Sequence, residues 1–252
     1  MGKRIKPEDI VGKVFTTNTG GDCVVVEYNG WDDVTVEFLD LHRAKVTTQM
    51  TNIRNGWVSN PYAKSVFGVG YSGEGLYKAK IGKKVSLVYY TWHGMMERCY
   101  SKKLHEKYPT YKDCSVCDEW HNFQVFAEWY CSHKNYGDGY ELDKDILVKG
   151  NKHYSPETCC LVPKDINLIF NSCGKTRGLF PLGVGYDKAN KTFRASVRDR
   201  GKLIQLGSFK TEEEAFDVYK ENKERLVKNI ALKYEGKIED KVFDMLMFWT
   251  VD

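Results

Sequence analysis

Residues Phe193 to Arg198 alternate apolar and polar without a break, sending Phe193, Ala195 and Val197 to one side of a strand. Arg194, Ser196 and Arg198 go to the other side. Asp199-Arg200-Gly201-Lys202 carries the Gly and polar residues of a hairpin connection, so Leu203 to Phe209 is predicted to return as a second strand. Thr211 with Glu214 three residues on is a capping box. It opens a predicted helix that sets Ala215, Phe216, Tyr219, Leu226, Val227 and Ile230 on one side. The stretch Leu182–Ala215 therefore reads as a three-stranded sheet. The helix covers its apolar face and the arginine face stays bare.

Charge says what such a face suits. Between Lys175 and Lys210 there are nine Lys/Arg against two Asp, a local +7 in a chain whose net charge is +4. A nucleic-acid duplex is the natural partner, because each neutralised phosphate releases counterions. The ordinary alternative is a solvated, charged sheet surface. Lys191, Arg194, Ser196, Arg198, Arg200, Lys202 and Gln205 are the candidate DNA-contacting residues. Arg194 and Arg198 suit base readout, and Lys191 and Lys202 suit phosphate contact.

Leu182-Gly183-Val184, Phe193-Arg194-Ala195, Leu206-Gly207-Ser208-Phe209 and Glu213-Glu214-Ala215 resemble the AP2 domain of plant transcription factors and phage homing endonucleases. The likeness covers roughly residues 180–235. It implies a sheet laid in the major groove, with bases read by strand arginines.

At 252 residues the chain is long enough for two or three compact units, and 42% hydrophobic with 13% aromatic residues suffices for packed cores. No apolar run approaches membrane-spanning length, and MGKRIKPEDIVG lacks a signal peptide's apolar region. A cytoplasmic protein with eight reduced cysteines is expected. The expected fold class is α+β, multidomain. Residues 1–80 form a small β-rich, barrel-like module, 81–174 a central domain with a helical lead-in, and 175–252 the sheet-plus-helix domain.

In the first part, Val14–Thr17, Cys23–Tyr28, Val34–Phe38 and Ala44–Thr48 read as strands, with turns at Gly20-Gly21 and Asn29-Gly30. Gly56-Trp57-Val58 and Val66–Gly70 are expected to close the sheet. Its charge is near balance, ten Lys/Arg to nine Asp/Glu. A docking or scaffolding module is the expectation, and the segment is similar to an N-terminal module of phage proteins. In the middle part, Trp92, Met95, Met96 and Cys99 fall at helical spacing. So do Trp120, Phe123, Phe126, Ala127 and Tyr130 after an Asp118 cap. Glu141–Ile146 and Cys159–Val162 read as strands, and Pro163 suits the start of a helix that buries Ile166, Leu168 and Ile169.

A strand carrying Asp143, a loop, a second strand and a helix with Asn167 near its start is the layout of a ββα-metal nuclease. Such a site needs a base to deprotonate water and oxygen ligands for a divalent metal, which offsets charge on the scissile phosphate. Asp143 and Asn167 are the candidate ligands for Mg²⁺ or another divalent ion. Asn151 would brace the loop. The segment LDKDILVKGNKHYSPETCCLVPKDIN resembles the HNH segment of phage homing endonucleases, and WHGMMERCY with VCDEWHNFQVFAEW resembles the helical lead-in of HNH-type proteins. The resemblance implies Asp143 as the metal aspartate and Asn167 as the helix asparagine. It departs at Lys144, where the general-base histidine belongs. Lysine is a poor base at neutral pH unless burial lowers its pKa by several units. His153 lies in the loop but off the motif position.

Cys114-Ser115-Val116-Cys117 is half of a zinc site, with Cys159-Cys160 or Cys99 and His121 as partners. Reduced thiols packed as small hydrophobes are the simpler expectation. Cys23, Cys131 and Cys173 show no ligand spacing.

Two functions follow. One is an HNH-type homing endonuclease, with Asp143, Lys144, Asn151 and Asn167 in its catalytic segment, nicking or cleaving double-stranded DNA. The other is a non-cleaving derivative acting as a DNA-binding repressor or accessory protein. RNA binding by the same sheet lacks the usual exposed paired aromatics. No heptad repeat marks a palindromic dimer, so a monomer on an asymmetric site is expected. The resemblance to phage proteins implies the cytoplasm of a bacterial host.

Overall fold

The computed structural model describes residues 6–19, 21–133, 136–137, 139–170 and 180–251. The polar N-terminus 1–5, the Gly20 half of the first predicted turn, Cys173, Lys175 and Arg177 lie outside them. The chain is mixed α and β and divides into two compact units, residues 1–131 and 132–252. No described helix is long and apolar enough to cross a membrane.

The first unit begins with strands β1 (Val14–Thr16), β2 (Asp22–Gly30), β3 (Asp33–Phe38) and β4 (Lys45–Thr48), paired antiparallel in chain order. Alternation buries Cys23 and Val25 on β2 and Val34, Val36 and Phe38 on β3, against Ile10, Ala44, Met50, Ile53 and Val58. Helix α1 (Met50–Arg54) supplies two of those residues. The expected barrel closure is not formed among the described residues, since β1 and β4 are the two ends of an open sheet. The segments expected to close it act otherwise. Gly56 accepts a bond from the Asn18 backbone N–H at 2.8 Å. Its φ of +68° and the Asn18 side chain 2.8 Å from a would-be Cβ require glycine there. Val66 and Gly70 close a tight turn on themselves.

The chain continues through β5 (Lys80–Ile81), β6 (Lys84–Val85), α2 (Leu87–Tyr100), α3 (Lys102–Lys107), β7 (Ser115–Val116) and α4 (Phe123–Ser132). Helix α2 buries Trp92, Met95, Met96 and Cys99, and α4 buries Phe123, Phe126, Ala127 and Tyr130. The Trp92 indole N–H donates to the Trp120 carbonyl at 2.7 Å, so the buried ring leaves no polar atom unmatched. Asp118 is not the cap of α4. It opens a short 3₁₀ turn, Asp118–His121, with its side chain in solvent, and Asn122 caps α4 by accepting from the Gln124 N–H at 3.0 Å.

The second unit contains β8 (Tyr140–Asp143), β9 (His153–Tyr154), β10 (Cys160–Pro163), α5 (Lys164–Phe170), β11 (Val184–Asp187), β12 (Thr192–Asp199), β13 (Lys202–Phe209), α6 (Glu212–Lys233) and α7 (Asp240–Met247). β8 and β10 pair antiparallel, and β11, β12 and β13 form a separate antiparallel sheet in chain order. On α5, Ile166 and Ile169 are buried but Leu168 is 42% exposed. A residue two positions after Ile166 lies about 200° around the helix, away from the core.

Helix α6 serves two cores. Ala215, Phe216 and Tyr219 pack under the three-stranded sheet with Ala195 and Val197. Further along, Val227, Ile230 and Ala231 join Cys160, Val162, Ile166 and Ile169, with Val242 and Leu246 of α7. Its start is a capping box: the Glu214 N–H donates to Thr211 Oγ1 at 3.2 Å, and the Thr211 N–H donates to Glu214 Oε2 at 3.3 Å.

Candidate functional site

The sheet β11–β13 separates its side chains by pleat. Phe193, Ala195 and Val197 turn toward α6, while Arg194 and Arg198 are exposed. Residues directly opposite across an antiparallel pair share a face. Arg194 lies opposite Gly185 and Ser208, Ser196 opposite Gln205, and Arg198 opposite Leu203. The outer face therefore carries Arg194, Ser196, Arg198, Gln205, Ser208 and Leu203. A bulge between Ala195 and Ser196 leaves Leu206 as the extra residue of β13 and increases the local twist.

The β12–β13 connection is the two-residue loop Arg200-Gly201, with φ of 45° and 82°. Two positive φ values in succession fit the type I′ hairpin turn that matches strand twist. Asp199 holds Arg200 at the turn, its oxygens 3.2 and 3.3 Å from the guanidinium. Arg200 is thus partly neutralised by its neighbour. Arg194 faces Asp187 Oδ2 at 3.5 Å, and an Arg198 guanidinium N–H donates to the Gly201 carbonyl at 3.4 Å. Both contacts are long, and both guanidinium groups remain open to solvent. Lys191 sits in the β11–β12 turn at φ 52°, and Lys202 begins β13; both are exposed.

Sequence reasoning missed three members of this face, Ser208 opposite Arg194 among them. Asp187 lies beside Arg194, and the Asn190 side chain, with the backbone N–H groups of Asn190 and Ala189, holds its carboxyl below the usual range. The signal was present in Asp187-Lys188-Ala189-Asn190, an Asx-type turn. Leu203, 53% exposed, puts an apolar side chain opposite Arg198. Alternation from Arg198 across the hairpin would have found it.

The loop between β8 and β10 is built the opposite way. Asp143 Oδ1 accepts from the Asp145 N–H at 2.7 Å and the Ile146 N–H at 2.8 Å, which ends β8 in a turn and drops Ile146 into the core. Burial raises the Asp143 carboxyl above its ordinary range, outweighing the two N–H bonds that pull it down. Lys144 is only 8% exposed. Its Nζ donates to both Asp145 carboxylate oxygens, at 2.8 and 2.7 Å, and to the Asn151 carbonyl at 2.6 Å. It also lies 5.9 Å above the Tyr154 ring. Asn151 closes the loop with three bonds. Its Nδ2 donates to the Lys144 carbonyl at 3.0 Å and the His153 carbonyl at 2.6 Å, and its Oδ1 accepts from the His153 N–H at 3.0 Å.

Asn167 of α5 donates through Nδ2 to Glu141 Oε2 at 2.7 Å. Glu141 and Asp143 are two residues apart on β8 and so share a face. Glu141 is a second carboxylate that sequence reasoning passed over, and alternation along the predicted strand would have found it. His153 is exposed on β9. Among the described residues no three His, Cys, Asp or Glu side chains gather to hold a metal ion. None of the seven described cysteines forms a disulfide. Cys114 is buried, and burial pushes the buried Cys159 thiol up to about 12 and raises Cys160 as well.

Compared with family models, curated proteins and solved structures, the chain matches none.

Proposed function

We propose that this chain is a sequence-specific double-stranded DNA-binding protein that reads its site through the outer face of β11–β13. One observation carries this reading: Arg194 and Arg198 project from alternate positions of β12 into solvent, with Ser196 between them and Gln205 opposite. Strand guanidinium groups of this kind pair bidentately with guanine edges, and a narrow sheet fits the major groove. The AP2-like residue pattern agrees with it, as does the +7 charge of residues 175–210. Lys191 and Lys202 flank the face as phosphate contacts, and Arg200, held by Asp199, is a weaker one.

A metal-dependent nuclease of the HNH type is the second reading. Glu141, Asp143 and Asn167 favour it, bringing hard oxygen donors to one strand face and the adjoining helix. The residues fit only part of that chemistry. Asp143 Oδ1 already accepts two N–H bonds, so Asp143 would have only its other oxygen to offer Mg²⁺, and Asn167, whose Nδ2 is on Glu141, would offer Oδ1. Lys144 does not fit a base, since its Nζ is committed to three acceptor oxygens of its own loop. The binding protein without hydrolysis, a repressor or an accessory factor on DNA, is therefore the reading we favour.

Incubation with a randomised duplex pool, with Mg²⁺, with Mn²⁺ and with EDTA, followed by sequencing of retained duplexes and strand ends, tests both. The expected result is a retained consensus with no new ends in any condition. Metal-dependent ends that vanish in Asp143→Ala would replace this reading with the nuclease. Retention without any sequence preference would sink base readout altogether.

A further inference from the structure

From Gly75 to Met96 the first unit carries four lysines, Lys78, Lys80, Lys83 and Lys84, and no acidic residue. All four are exposed, and among the described residues none of their side chains makes an ion pair or hydrogen bond. They cluster on the β5–β6 hairpin, where Lys80 pairs with Val85 and Ile81 with Lys84. Gly82 and Lys83 form its two-residue loop, with Gly82 at φ +62° in the first position, as a type II′ turn requires.

The base of this hairpin is fixed. The Gln124 side chain accepts from the Tyr77 N–H at 3.0 Å and donates to the Tyr77 carbonyl at 2.9 Å. On the other side the Ser86 N–H donates to the Ala79 carbonyl at 2.9 Å, and Ser86 Oγ caps α2. The lysines thus stand on a backbone that is ordered before any partner arrives, which lowers the entropic cost of binding. Each face of the ribbon shows one lysine and one aliphatic side chain, so neither face gathers the apolar surface that insertion into lipid needs.

We propose that the β5–β6 hairpin is a second duplex contact, in which Lys78, Lys80, Lys83 and Lys84 neutralise backbone phosphates without reading bases. It rests on the DNA-binding reading above. A two-stranded ribbon is narrow enough to follow a groove, and lysine is a point charge suited to phosphate rather than to base edges.

The test compares the full wild-type chain with the variant K78Q/K80Q/K83Q/K84Q and with the charge-retaining variant K78R/K80R/K83R/K84R. Affinity for a selected duplex and for random duplex is titrated over a salt series, with melting curves to confirm that each chain folds. The glutamine variant should flatten the plot of log affinity against log salt by about 0.9 for every phosphate it no longer neutralises, about two or more in all, for both duplexes alike. The arginine variant should keep the wild-type slope. An unchanged slope in the glutamine variant overturns the hairpin contact, and if Arg194→Ala still abolishes site preference the sheet reading survives it. No duplex binding by wild type overturns both. Loss of binding to phosphatidylglycerol vesicles with an intact duplex slope would give the hairpin to lipid and overturn the proposal.

Discussion

The second unit holds two groups of polar residues that look alike in sequence and differ in structure. On the β11–β13 sheet, Arg194 and Arg198 point outward and make only contacts of 3.4 Å or longer. In the β8–β10 loop, Asp143, Lys144, Asp145 and Asn151 point at one another and at the backbone, with most bonds between 2.6 and 3.0 Å. The first arrangement leaves hydrogen-bonding capacity for a partner. The second has used that capacity to hold an irregular loop in one shape. A charged residue is a binding candidate by what it has left over, and that depends on its neighbours in space.

The largest expected effect bears on the sheet. Replacing Arg194 and Arg198 together by Ala should weaken binding to a selected duplex by about 1–3 kcal/mol for each bidentate guanine pairing removed. Binding to random duplex should change far less, and the melting temperature should stay put because both side chains are exposed. An equal loss on both duplexes would mean that these arginines meet phosphates, and the contrast between sheet and loop would lose its functional half.

The loop should respond through stability. Asn151→Ala removes three hydrogen bonds, to the Lys144 carbonyl and to the His153 carbonyl and N–H, while Thr158 Oγ1 still donates to the His153 carbonyl at 2.8 Å. About 1–3 kcal/mol of unfolding free energy should go with them, read by urea titration. Duplex affinity under folding conditions should hold. If stability is unchanged while a metal-dependent cut disappears, the loop is a catalytic device after all.

Alternation made the sheet legible. Phe193 to Arg198 fixes which side chains share a face, and Thr211 with Glu214 fixes where the covering helix starts. Both depend on residues within one or two turns of chain. The barrel closure of the first unit was not legible in that way, because whether β1 meets β4 is decided by contacts across 30 residues. Gly56 reads locally as a turn, yet its partner is Asn18. The shared role of α6 was hidden for the same reason. Its buried stripe was visible, but nothing local divides it between Ala195 above and Ile166 below. Lys144 shows the limit for a candidate site: the motif position says "base", and only the loop's return through Asn151 makes the lysine a tie.

The smallest effect is the most pointed. Asp143 serves the fold as an acceptor for two backbone N–H groups, a task an amide oxygen performs as well as a carboxylate. Burial raises its pKa above the ordinary 3.8, so the folded chain takes up this proton more readily than the unfolded one. Folding therefore disfavours the ionised carboxylate. Stability is gained as pH falls through the folded-state pKa toward 3.8. Asp143→Asn should match or slightly exceed wild type at pH 7, and its advantage should close as pH falls and the wild-type carboxyl becomes neutral. Asp143→Ala lacks the acceptor and should lose about 1 kcal/mol or more. Urea titrations of the three chains across that pH range decide the matter. A loss in Asp143→Asn equal to that in Asp143→Ala would show that the ionised carboxylate itself is needed, the behaviour of a metal ligand and not of a turn.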